Sequence, residues 1–131
     1  NLPAPMSLAA FAEAVGTVLP ATASGLRVAG SRVQQIKRVA VLGGAGDSFL
    51  AAAAASGADV YVTSDLRHHP AQDALESAGA AGRAFALIDV PHWAAESLWL
   101  RVAEQQLAGI FEDAQIVVSG LCTDPWDFVV N

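Results

Sequence analysis

The 131-residue chain has 53% hydrophobic residues, 15% charged residues and a net charge of −6, a balance that excludes a disordered segment and offers no basic stripe for nucleic acid. No apolar run is long and bulky enough to suggest a membrane span, and the AAAAAS stretch from Ala51 reads as small-residue helix packing. The single cysteine, Cys122, cannot close an internal disulfide, which fits a reducing, cytoplasmic setting.

The length suits one α/β domain, residues 1–131, that buries about two-thirds of its unfolded surface. The chain starts at Asn1, without a methionine or a visible signal peptide, so it reads as cut or processed, a piece of a longer protein.

Ser7 is placed to cap a helix over about residues 8–18, LAAFAEAVGTV, whose apolar residues recur at helical spacing. LPATASG is a loop, GLRVAG (25–30) a short alternating edge strand, and SRVQQ a turn, so residues 1–35 form a lead-in helix and edge strand. The pattern changes at Ile36. VAVLGG is a near-continuous apolar run, as in a strand covered on both faces, and a glycine turn and the helix SFLAAAAASG follow. ADVYVTS is the next strand, HPAQDALESAGA the next helix and RAFALIDV the strand after that. PHWAAESLWLRVAEQQLAGIFED is the longest helix, AQIVVSG a further strand, and LCTDPWDFVVN a tail with no clear period.

This alternation with short links predicts a three-layer α/β sandwich with a mostly parallel sheet. In open sheets of this kind ligands collect at the carboxyl ends of the strands, where GGAGDS, TSDLRHHP and DVPHWAAE lie.

The glycine loop, Gly43-Gly44-Ala45-Gly46-Asp47-Ser48, is a poor dinucleotide fingerprint. Phe49 stands where a third glycine belongs, and no P-loop lysine follows. A tight turn that lets the helix approach the strand is preferred over an anion site.

In the second loop Pro70 suits a first helical position, which leaves His68 or His69 at the helix mouth. An imidazole beside the positive helix end tends to stay neutral, able to accept a proton or bind a metal. The plain alternative is a solvated cap, with Asp65 bonding turn amides.

In the third loop His92 and Glu96 stand four apart, which matches the reach needed to ligate one ion. They project along the stripe that carries Trp99, Ala103, Leu107 and Ile110, expected to face the sheet. A carboxylate buried there needs helix amides, a cation or a metal, and Asp89 or a backbone carbonyl can hold the imidazole in place. Two ligands are too few for a tight site. The alternative is a half-exposed first turn with a weak His–Glu contact.

VAVLGGAGDS, ADVYVTSDLRHHPAQDA, LIDVPHWAAE and TDPW, in that order, resemble the C-terminal half of the Nif-three-like family, whose members carry the names dinuclear metal centre protein and GTP cyclohydrolase type-two homologue. The resemblance covers about Val39 to Trp126, within a family-like core over 36–126. It implies one half of a two-lobed fold. The resemblance further implies that two similar α/β halves hold metals between them and assemble into a ring of six.

The resemblance makes His92 and Glu96 metal ligands, with Pro91 in place of the family's glycine. Thr63, Asp65 and His69 fall on its second block, with Ser64 in place of a glycine. His69 is preferred to His68, and His69 and Asp65 are the expected acid–base residues. The family's other ligands lie in an N-terminal half, so the site for zinc, manganese or iron is expected to be incomplete in this chain.

The first functional expectation is a metal-dependent hydrolase, when full length, acting on a nucleotide such as GTP, with the chain alone inactive. The second is a metal-binding or protein-interaction module without catalysis. The expected partners are the absent N-terminal half and further copies of the protein, with no nucleic acid and no membrane. In either case the Trp93 and Trp99 region faces a partner or packs as core and rim.

Overall fold

Ser7 caps the first helix as its position predicts, its side chain accepting a hydrogen bond from Ala10 N at 3.2 Å. The structure, a computed structural model, describes residues 1–130. In chain order a short strand β1 (Met6–Ser7) leads into α1 (Leu8–Val18), followed by β2 (Arg27–Ala29), β3 (Gln35–Ile36) and β4 (Val39–Ala45). A 3-10 turn (Asp47–Phe49) opens α2 (Leu50–Ala55). Then come β5 (Val60–Ser64), α3 (His68–Ala80), β6 (Ala86–Asp89) and α4 (His92–Ala108).

The main sheet has four strands in the order β2-β6-β5-β4. β4, β5 and β6 run parallel, with Val39 opposite Val60 and Val60 opposite Ala86. β2 closes the other edge antiparallel, with Arg27 opposite Asp89. β1 and β3 make a separate antiparallel pair, Met6 against Ile36.

Side chains alternate across β5, and the two faces feed two cores. Val60 and Val62 join Leu8, Ile36, Ile88 and Val90, with Phe11 and Val15 of α1 and Ala95 of α4 packed against them. Tyr61 joins Leu50, Ala53, Ala78 and Leu87 under α2 and α3. Helices therefore cover both faces of a mostly parallel sheet, as the alternation of elements predicts.

Five expectations change. The run VAVLGG is not covered on both faces. It lies at a sheet edge, and Val41 is 73% exposed. The glycines are not a turn after the strand but part of it, since β4 continues to Ala45 with a register shift between Val41 and Ala45. Residues 114–120 form no strand. The edge of β6 that a further parallel strand would take is already paired with β2.

The long helix stops at Ala108, with Gly109 as its C-cap, instead of running to Asp113. Its expected sheet-facing stripe is mostly exposed. Ala103 is buried, but Trp99, Leu107 and Ile110 are 62%, 41% and 68% exposed. The helix buries a face of small residues instead, Ala94 and Ala103, with Ala95 packed against the core, and the bulky stripe lies outside that face.

Candidate metal centre

The C-terminal ends of β4, β5 and β6 bring three loops together. Thr63 Oγ1 donates to Gly44 O at 2.9 Å, Tyr61 Oη donates to Gly46 O at 3.1 Å, and Gly46 N donates to Ser64 O at 3.1 Å. A Cβ on Gly46 would collide with both the Thr63 and Tyr61 side chains, so this glycine is needed for close approach. Gly44, at φ +79°, lies beside the first turns of α4. A Cβ there would sit 3.7 Å from Glu96 Oε1 and 3.9 Å from His92 Nε2. The glycine stretch serves packing, and its bare backbone leaves the His–Glu pair uncovered.

His92 is the first residue of α4 and follows Pro91, its N-cap. Its two ring nitrogens each meet a carboxylate. Nδ1 is 2.7 Å from Asp65 Oδ2, and Nε2 is 2.9 Å from Glu96 Oε1. The hydrogen bonds to Asp65 and then Glu96 raise the pKa of the ring above its ordinary 6.5, against a smaller opposing effect of burial. The site is open, with side-chain exposures of 37% for His92, 57% for Asp65 and 63% for Glu96.

Asp65 takes the role foreseen for Asp89. Asp89 is held by Arg27, whose Nε donates to Oδ2 at 2.8 Å, and its Oδ1 accepts from Leu66 N at 3.0 Å. Its carboxylate is thus spent on the loop after β5, and the carboxylate on His92 Nδ1 comes from that loop instead.

His68 and His69 open α3. Both are exposed, with ring centroids 5.1 Å apart, edge to face. Pro70 is the third helical residue rather than the first, where its missing N–H is still harmless. His69 does not line the cavity at the His–Glu pair, so of the expected site residues Asp65, His92 and Glu96 come together and His69 stands apart.

That cavity has a volume of about 670 Å³, and its walls include Arg27, Asp65, Trp93, Asp124 and Trp126. Asp124 Oδ2 is buried without a hydrogen-bond partner among the described residues. Arg27 and Asp124 escaped the sequence reading as site residues. The only signal for Asp124 was the TDPW motif, and Arg27 had none.

Asp65, Asp89, Glu96 and Asp124 face one arginine across this space, so its field favours a cation. The donor chemistry agrees. A neutral imidazole carries one N–H and cannot satisfy two carboxylates, so the pair calls for a second proton or for a cation, which His92 and Glu96 would hold. The residues fit part of a metal site and not a whole one. Among the described residues no group of three or more His, Cys, Asp or Glu side chains is placed to hold a metal ion.

A sequence model of Duf34/NIF3 (NGG1p interacting factor 3) matches residues 1–125. The chain belongs to this family. Similar proteins include two named GTP cyclohydrolase 1 type 2 homolog. The Mycobacterium leprae protein is 46% identical over 97% of this chain and 32% of its own length. The Streptomyces coelicolor protein is 40% identical over 93% of this chain and 42% of its own length.

A Bacillus cereus protein related to NIF3 superposes with a TM-score of 0.83 at 33% identity, over 98% of this chain and 34% of that one. A Staphylococcus aureus structure gives 0.80 at 29% identity, over 98% and 40%. The chain thus spans about a third of the length of the first of these curated relatives.

Proposed function

We propose that the chain supplies part of a divalent metal site in a NIF3-family protein that is, at full length, a metal-dependent hydrolase. The observation that carries this reading is the imidazole of His92 with a carboxylate at each nitrogen. His92 Nε2 and Glu96 Oε1 hold the ion, and Asp65 fixes the Nδ1–H tautomer and the ring plane. A bound divalent ion of the zinc, manganese or iron class supplies Lewis acidity and a nucleophilic water near neutral pH. His69 in the first turn of α3 is the acid–base candidate outside the ligand set. A nucleotide substrate of the GTP type rests on the names of the relatives alone.

The remaining ligands come from the N-terminal half of the protein, and the protein assembles as a ring of six. Exposed apolar side chains along α4, such as Leu98, Trp99 and Val102, support burial against such partners. The same face favours the second reading, an interaction module that binds metal without turnover. Among the described residues no helix is long and apolar enough to cross a membrane, and the one cysteine is exposed and free, which suits a cytoplasmic protein.

Calorimetry with zinc and manganese tests the assignment. The 131-residue chain binds weakly, the protein at the length of its relatives binds stoichiometrically, and His92→Ala abolishes both. Stoichiometric binding that survives His92→Ala refutes it. Turnover lost in His69→Ala with metal retained separates the hydrolase from the module.

A further inference from the structure

We infer that Asp89 and Asp47 are positioning residues that clamp the left-handed turn at Asp65 and so hold its carboxylate on His92 Nδ1. Asp65 has φ +57°, the one non-glycine residue with positive φ among the described residues. A residue with a Cβ does not stay in that region unless its surroundings hold it there. The Asp65 side chain is 57% exposed and among the described residues hydrogen-bonds His92 alone, so the hold comes from the backbone that follows.

Three successive polar groups of that backbone are tied to side chains from neighbouring elements. Leu66 N donates to Asp89 Oδ1 at 3.0 Å, and Leu66 O accepts from Arg27 Nη2 at 3.2 Å. Arg67 N donates to Asp47 Oδ1 at 3.1 Å. Each carboxylate is in turn held by an arginine. Arg27 Nε reaches Asp89 Oδ2 at 2.8 Å, and Arg67 Nε reaches Asp47 Oδ2 at 2.8 Å.

Asp89 ends β6 and Asp47 follows β4, so the strands on either side of β5 both grip the loop that leaves it. Arg27 stands directly across from Asp89 in the antiparallel register, which gives the edge strand β2 a task at the site. The Leu66 side chain is buried in the core under α2 and α3, which leaves the turn no freedom to slide.

The two acids touch neither His92 nor Glu96, and they act through Leu66 and Arg67. The tautomer of His92 reads that action without any metal present. The consequence for metal affinity rests on the assignment of His92 as a ligand.

The test is ¹⁵N NMR of the His92 ring in the full chain, at a pH where the ring is neutral, beside zinc affinity. The wild-type ring is held as the Nδ1–H tautomer. Asp65→Ala and Asp89→Ala each shift it toward the Nε2–H form that Glu96 favours and lower zinc affinity on the order of 10-fold, and the double variant goes no further than either. Asp89→Asn keeps an acceptor for Leu66 N and retains most of the tautomer preference. If Asp89→Ala does not fold, Asp47→Ala makes the same test from the other side of the turn.

A wild-type tautomer in Asp89→Ala or Asp47→Ala, with Asp65→Ala altered, overturns the proposal. So do effects that add in the double variant. An unchanged ring in Asp65→Ala also overturns it, and that result is separate from whether His92→Ala abolishes metal binding.

Discussion

His92 Nε2 lies 2.9 Å from Glu96 Oε1 while Nδ1 of the same ring lies 2.7 Å from Asp65 Oδ2. The hydrogen bonds to Asp65 and Glu96 favour the doubly protonated ring and raise its pKa above the ordinary 6.5. A proton held more tightly in the folded chain than in the unfolded one stabilises the fold fully below the ordinary 6.5, and that contribution is lost as pH rises through the folded value. The thermal midpoint therefore falls across this window in the wild type, and the fall disappears in His92→Ala. Glu96→Gln lowers the ring pKa toward 6.5 by NMR titration. Zinc competes with the same proton, so its affinity rises with pH. A midpoint slope unchanged in His92→Ala contradicts this account.

The Asp47–Arg67 pair has the opposite sign. Burial works to raise the Asp47 pKa, but the Arg67 side-chain and backbone hydrogen bonds, with its charge, together hold the carboxyl below its ordinary 3.8. Its contribution is present above that value and is lost as pH falls through the lower folded value. Asp47→Ala is expected to cost about 1–3 kcal/mol in urea unfolding at neutral pH. The cost vanishes in strong acid, and a penalty that persists there assigns it to packing instead.

Some of this site was legible in the sequence, and the reason is distance along the chain. His92 and Glu96 meet because helical spacing makes residues four apart neighbours. The strand ends were legible from the alternation of elements, which placed Asp65 near the pair. The contact between Asp65 and His92 spans 27 positions and depends on a left-handed turn that no periodicity encodes. Arg27 lies 62 positions from Asp89, so neither its partner nor its role could be read locally. The stripe on α4 misled because apolar residues occur nearly all round that helix, and the face that is covered is the one of small residues, Ala94 and Ala103.

Two glycines of the β4 region separate space from conformation. Gly46→Ala drives a methyl against Thr63 Oγ1 and Tyr61 Oη and should cost about 1–3 kcal/mol. Gly43 has no atom within 4 Å of its added Cβ, so Gly43→Ala should stay within about 0.5 kcal/mol of wild type. Equal penalties from urea titrations of the two variants would mean that backbone freedom, not the crowding of Gly46, sets the cost.

Trp99 is 62% exposed on α4, away from the face that buries Ala94 and Ala103. Trp99→Ser should change the stability of this chain by less than about 0.5 kcal/mol. In the protein at the length of its relatives the same change should cost about 2 kcal/mol or more, as expected of a buried aromatic anchor at an interface. A near-zero effect in both, by thermal unfolding, removes Trp99 from any contact with the rest of the protein.

Ser64 offers a substitution expected to stabilise. It is 1% exposed at the end of β5, and its Oγ has no hydrogen-bond partner among the described residues. A buried hydroxyl with no partner carries the cost of its lost hydration with nothing to offset it. Ser64→Ala keeps the Cβ and removes only the oxygen, so it should raise stability by about 1 kcal/mol in urea unfolding and leave the His92 resonances in place. A loss of stability of similar size would mean that the hydroxyl hydrogen-bonds in solution, with ordered water the natural partner at the base of the three loops.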